Sequence, residues 1–301
     1  MSIVGKRHIF LGISLAMVLA SLALLLGKGL NLGIDFRGGT LLERAIPGQV
    51  SAADVRAVLT GEALARYELG GSSVQPLEEE GTEGQSVMLI RTHAFEDSSV
   101  IAEIDAALRE AFGDVEVRRT ELVGPVIGAE LIRQAFLAVA LGALGIVAYL
   151  SFRFEYRFGI AAVAALLHDA IIALGVLALL EREVNAPVIA AILTVLGYSI
   201  NATIVIFDRI RENLSVRRRE SLAEIVDKSI RQTITRSINT GATTLLVLLT
   251  LYFFGGSTIR DFTLTLLVGV AVGTYSSIFV SGPLWWLWRQ AAERRTAPVA
   301  S

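Results

Sequence analysis

The chain has 301 residues, a formal charge of −2 and a hydrophobic content of 53%, with a mean hydropathy of +0.60. Such a composition excludes an ordinary soluble globule and points to a membrane protein that keeps some water-facing mass. The near-neutral charge, without a basic tract interleaved with aromatics, argues against nucleic-acid binding; the lack of cysteine removes disulfide and thiolate chemistry and leaves redox compartment unread; and three scattered histidines, His8, His93 and His168, argue against a metal cluster.

Residues 9–26 form the first apolar run of near-membrane length. Lys6 and Arg7 precede it as in a secretory signal, but its apolar core is long and no small-residue cleavage site follows, so it is expected to remain as an anchor. One domain boundary is therefore expected after residue 30.

From 31 to 126 the pattern changes to mixed, acid-rich sequence with its own periodicity, as expected of a folded external domain. Gly38 and Gly39 suit a tight turn near the membrane exit, with Asp35 and Arg37 placed to interact beside it. Residues 40–45 read as a strand, and Ser51 as the N-cap of a helix to about Leu64, with Val55, Val58 and Leu59 at helical spacing. A weak strand at 73–75, a loop at 78–84 and a strand at 87–91 follow. Ser98 or Ser99 is expected to cap a helix carrying Ile101, Ile104 and Leu108, before a last strand at 115–122. The order βαββαβ predicts a small ferredoxin-like α+β layer. It contains no phosphate loop, nucleophile elbow or zinc motif, and the chain is expected to be neither an enzyme nor a cofactor carrier.

Five more apolar runs, 131–150, 159–180, 188–207, 238–254 and 262–288, make six predicted spans facing membrane lipid, with a five-helix region over 127–301. Lys6 and Arg7, Arg153 and Arg157, the dense set between 209 and 236, and Arg289, Arg294 and Arg295 all fall on one side of that layout. Basic residues in short loops favour the cytoplasm, so both termini are expected there. Arg182 and Arg260 lie in short loops on the opposite side. Lys28 and Arg133 flank the long segment that its length exempts from the rule.

Ionisable and polar groups at membrane depth are the candidate functional residues. Asp169 lies mid-span beside His168, and is either a bundle-facing carboxyl bonded to a neighbouring helix or a proton-transfer group. The fourth span carries Tyr198, Ser199, Asn201 and Thr203, expected to face protein, and Gly197, which permits close helix approach. Asn201 and Asp208 share a face two turns apart. Asp208, near the cytoplasmic interface, could equally belong to a solvated helix end with Arg209, Arg211 and Glu212. Arg236 opens the fifth span with Thr240, Thr243 and Thr244 on one face, as a gate or as a snorkelling anchor. The triplet Asn213-Leu214-Ser215 fits a glycosylation pattern but falls on the expected cytoplasmic side.

Gly33-Ile34-Asp35-Phe36-Arg37-Gly38-Gly39-Thr40, Val123-Gly124-Pro125, Leu167-His168-Asp169, Gly197-Tyr198-Ser199-Ile200-Asn201 and Phe207-Asp208-Arg209-Ile210-Arg211-Glu212-Asn213 together resemble the SecF family of protein-export membrane subunits. The resemblance covers nearly the whole chain. It implies a six-span half of an RND-type fold in the bacterial inner membrane. SecD, the Sec channel and a translocating polypeptide are the implied partners, and export drawing on the proton-motive force the implied role. A scaffold that holds SecD and the channel without moving protons is the alternative; a small-molecule exporter fits less well, given the small external domain. The chain departs from the family pattern at Ala202, where an Asp would follow the Asn. Natural or introduced, an alanine cannot take or release a proton. Arg236, which resembles the family's intramembrane arginine, then lacks its carboxylate on this chain, and proton transfer would fall to a SecD carboxylate or to Asp169.

Overall fold

The computed structural model describes residues 2–77, 84–95, 97–153, 155–217 and 219–296. The chain divides into two compact units, one of Met1–Asn31, Leu137–Gly255 and Ile259–Ser301, the other of Leu32–Phe136 with Gly256–Thr258.

The first helix, α1 (Arg7–Gly27), is almost uniformly apolar and scarcely buried in its own chain. In the second unit β1 (Gly39–Pro47), α2 (Ala52–Leu59), β2 (Ser73–Leu77), β3 (Gln85–Thr92), α3 (Ser99–Phe112) and β4 (Glu116–Val123) follow in the expected βαββαβ order. The sheet is antiparallel, in the order β2-β3-β1-β4, with Leu42 opposite Ile90 and Leu41 opposite Glu121. That is the ferredoxin-like arrangement. Alternation along β1 sends Leu42, Arg44 and Ile46 to one face, where Leu42 and Ile46 meet Met88, Ile90, Val55, Leu59, Ile104 and Leu108 in one core. Arg44 is fully buried. Its Nε and Nη2 donate to Asp105 of α3 at 2.6 and 3.2 Å, and its remaining donors reach the carbonyls of Glu43 and Arg119 and the hydroxyl of Thr120.

Two local expectations are corrected. The helix from Ser51 ends at Leu59 rather than Leu64, because Thr60 turns its hydroxyl back to the carbonyls of Arg56 and Ala57 and Gly61 breaks the run; a 3₁₀ segment, Glu62–Tyr67, carries the chain onward. At α3 neither Ser98 nor Ser99 caps with its side chain; Asp97 accepts from the Ser99 N–H at 2.8 Å. The predicted loop at 78–84 lies, apart from Gly84, outside the described residues.

Helix α4 (Pro125–Arg153) is followed by α5 (Tyr156–Leu179), α6 (Ala186–Ser215), α7 (Leu222–Phe254) and α8 (Arg260–Ser276), which runs through a π-turn at Ser277–Ser281 into α9 (Gly282–Thr296). Counting the last two together, six helices among the described residues are long and apolar enough to cross a membrane. Helix α7 begins well before the apolar run at 238, because a reciprocal capping box joins Ser221 and Glu224 and because Leu222, Ile225, Val226 and Ile230 supply a buried stripe. Lipid gives no hydrophobic drive between helices, so close packing depends on small residues. Accordingly α5 buries Ala161, Ala162, Ala165, Ala173, Gly175 and Ala178; at Gly175 a Cβ would lie 2.3 Å from that of Ser21 on α1. Nearer the other end Phe158 stacks on Trp285 with ring centroids 4.5 Å apart.

Candidate intramembrane site

Asp169 sits on α5 about 15 Å along the helix from Leu179, at the middle of the bundle, and is fully buried. Its Oδ2 accepts from the hydroxyl of Ser199 on α6 at 2.5 Å and from that of Ser276, the last residue of α8, at 2.8 Å. His168 places Nδ1 2.8 Å from the other oxygen, Oδ1. Three helices therefore converge on one carboxyl group. An isolated carboxylate would be far too costly there, whereas donors of this kind each offset about 1.5–3 kcal/mol when the acceptor is charged. The serine hydroxyls can also reverse from donor to acceptor, so the carboxyl can take up or release a proton while staying hydrogen-bonded. His168 Nε2 is buried with no partner among the described residues.

The approach of α8 to α6 depends on Gly269 and Gly273. A Cβ at Gly269 would lie 2.2 Å from Val195 Cγ2, and one at Gly273 would lie 3.0 Å from Ser199 Cβ and 3.5 Å from Asp169 Oδ2. Neither glycine nor Ser276 is among the residues that the sequence singles out. The G-x-x-x-G spacing inside an apolar helix is the signal that could have found the glycines; nothing comparable marks Ser276.

The other polar positions of α6 turn elsewhere. Thr203 is buried with Ser199, but Asn201 is exposed and, with Tyr198, Ala202, Arg236, Ser237 and Thr240, lines a separate cavity of about 100 Å³. Arg236 is thus brought to Asn201 and Ala202, and not to Asp169. Thr243 and Thr244 return their hydroxyls to carbonyls of their own helix. Asp208 is exposed near the end of α6, where Arg209 pairs with Glu212 at 2.9 Å and Asn213 donates to Ser229 and Gln232 of α7.

Asp35 and Arg37 occupy a single helical turn, Ile34–Arg37, in the other unit. Gly38 (φ 72°) ends it by donating to the Ile34 carbonyl, and at Gly39 (φ 141°) a Cβ would come within 2.6 Å of the Thr92 carbonyl oxygen. Both glycines are required by the backbone there.

Comparison with known families gives two matches, the model described as "Protein export membrane protein SecD/SecF, C-terminal" over residues 103–291 and the "SecD/SecF GG Motif" over 23–43. The chain belongs to the SecD/SecF family. Among SecF relatives, the "Protein translocase subunit SecF" of Desulfurispirillum indicum is 42% identical over 92% of this chain and 88% of its own, and that of Magnetococcus marinus is 40% identical over 98% and 94%. The solved structure of SecDF from Thermus thermophilus superposes with a TM-score of 0.84 at 35% identity, over 96% of this chain and 39% of the other. A SecDF structure in a "Super-membrane-facing form" gives 0.70 at 36% identity, over 99% and 40%. This chain therefore spans about two-fifths of the SecDF chains, with the fold of a six-span RND-type half, and the Gly38-Gly39 turn falls within the family's GG motif.

Proposed function

We propose that this chain is a non-enzymatic SecF-type subunit of a Sec translocase in the bacterial inner membrane, with both termini cytoplasmic. It pairs with a SecD half and draws on the proton-motive force to promote export of polypeptides through the Sec channel. The observation that carries the proton-linked part is Asp169, a fully buried carboxyl bonded across three helices. Protonation there changes which groups donate and accept at the meeting point of α5, α6 and α8. One charge moved through 100 mV yields about 2.3 kcal/mol, enough to shift a two-state packing equilibrium about fifty-fold.

Ala202 favours a second reading, a scaffold that joins SecD and the channel without moving protons, because no titratable carboxyl lines the cavity beside Arg236 among the described residues. Complementation of a SecF-depleted strain, measured with and without collapse of the proton gradient, separates the two. The motor reading expects co-purification with SecD, gradient-dependent secretion, and crosslinks from a translocating polypeptide to the external domain that change with the gradient. Secretion and crosslinks that ignore the gradient would leave only the scaffold.

A further inference from the structure

Ser14 and Ser21, one heptad apart, are the two buried residues of α1. That helix runs parallel to α5. Ile3 and Val4, just before α1, share a core with Phe158 at the start of α5, and Lys28 after α1 pairs with Glu181 after α5 at 2.8 Å. Ser21 lies against Gly175 of α5. A step of one heptad back along both helices, about 10.5 Å on each, keeps facing positions together and sets Ser14 at the level of His168. A second contact fixes the same level. The Tyr275 hydroxyl of α8 donates at 2.9 Å to the carbonyl of Phe10, one turn before Ser14, while its neighbour Ser276 bonds to Asp169 beside His168. Ser14 is 4% and His168 7% exposed, and neither the Ser14 Oγ nor the His168 Nε2 has a partner among the described residues. Two buried polar atoms left unpaired are costly, and a hydroxyl and an imidazole nitrogen are complementary.

We propose that Ser14 and His168 form a proton relay that loads and empties Asp169 from the α1 side. The inference rests on the reading of Asp169 as the proton-coupling group. Ser199 and Ser276 both bond to Oδ2 of that carboxyl, whereas Oδ1 faces the His168 Nδ1 at 2.8 Å. A neutral imidazole that donates its Nδ1–H to this oxygen keeps Nε2 as an acceptor, and the Ser14 hydroxyl donates to it directly or through one bound water. A proton delivered along that link to Nε2 releases the Nδ1 proton to Oδ1. The ring ends neutral with its proton on Nε2, Asp169 ends as the carboxylic acid, and the Ser14 hydroxyl turns from donor to acceptor. The same steps in reverse empty the carboxyl. An imidazole passes a proton in this way because its two nitrogens exchange donor and acceptor roles.

Nitrogen-15 NMR of the purified full chain, labelled at histidine, tests the pairing; the chain has 3 histidines, and His8→Gln with His93→Gln leaves the His168 signals alone. Ser14→Ala should shift the His168 ring resonances, and Ser21→Ala, one heptad away, should leave them in place. Gradient-dependent secretion in a SecF-depleted strain, with SecD co-purification as the check on folding, tests the relay. His168→Gln can still hydrogen-bond to Asp169 but cannot take one proton while releasing another, and should lose about tenfold or more of the gradient-dependent rate. Ser14→Ala should lose part of that rate, and Ser14→Thr, which keeps the hydroxyl, should restore it. An unmoved His168 resonance in Ser14→Ala overturns the pairing and the relay with it. Full gradient-dependent secretion by His168→Gln, where Asp169→Asn has lost it, overturns the relay and leaves Asp169 as the coupling group. Full secretion by both variants overturns the Asp169 reading as well.

Discussion

Replacing Gly269 with alanine should separate α8 from α6 and loosen the Asp169 site without touching it. The added Cβ would lie 2.2, 2.6 and 2.9 Å from Cγ2, Cγ1 and Cβ of Val195, where ordinary contact begins at 3.4 Å. Val195 is β-branched and held in one rotamer by its helix, so neither methyl has an easy escape. Relief requires the helices to part by about 1 Å. The hydrogen bond from Ser276 on α8 to Asp169 on α5, now 2.8 Å, would stretch past 3.5 Å, while the bond from Ser199 joins α6 to α5 and stays in place. Overpacking costs about 1–3 kcal/mol, and the one interhelical hydrogen bond lost in a membrane adds about 0.6 kcal/mol. The expected loss is about 1.5–3.5 kcal/mol, measurable by equilibrium unfolding in mixed micelles. Combining Gly269→Ala with Val195→Ala removes both offending methyls and should recover most of it, with a coupling energy above about 1 kcal/mol. A loss below about 0.5 kcal/mol for Gly269→Ala, or no recovery in the double variant, would refute this account of the packing.

In the external unit, Asp105→Leu should destabilise by about 3–5 kcal/mol, because it leaves the fully buried Arg44 guanidinium charged without its carboxylate; melting of the unit followed by limited proteolysis would reveal it, and an unchanged midpoint would count against the buried pair. The Ser51 hydroxyl, and then the Ser51 backbone N–H, hold the Asp54 carboxyl below the usual carboxylate range. A depressed folded value means that this contribution to stability is complete above the unfolded value of about 3.9 and is lost as pH falls through the lower folded one. In Ser51→Ala the Asp54 carbon resonance should therefore titrate at higher pH than in the unmodified chain; coincident titration curves would contradict the capping box.

What could be read from the sequence follows the range of the interactions. The βαββαβ order is visible because the hydrophobic period switches between 2 and 3.6, and Ser51 is a local cap. Gly61 is equally local, but Leu64 continues the helical spacing beyond it and conceals the stop. The start of α7 at Leu222 escapes an apolar window because its first turns are amphipathic. Nothing in the local sequence links Arg44 on a strand to Asp105 on a helix; only the tertiary fold makes them a buried pair. Asp169 and Ser199 stand out individually as polar groups at depth. Their meeting, and the arrival of Ser276 from α8, depends on a helix approach set by two glycines. The polar stripe of α6 also divides between two environments, Ser199 toward Asp169 and Asn201 toward Arg236, a split that helical spacing permits but does not assign.

In the proposed motor, proton coupling runs through Asp169 and not through position 202. The direct measurement is gradient-dependent secretion in a SecF-depleted strain expressing Asp169→Asn at matched levels beside the unmodified chain, with SecD co-purification as the check on folding. The account predicts that Asp169→Asn retains SecD but loses most of the gradient-dependent rate, by tenfold or more, the cost of about 1.4 kcal/mol or more in the driven step. Full gradient-dependent secretion by Asp169→Asn, with SecD bound, would contradict it.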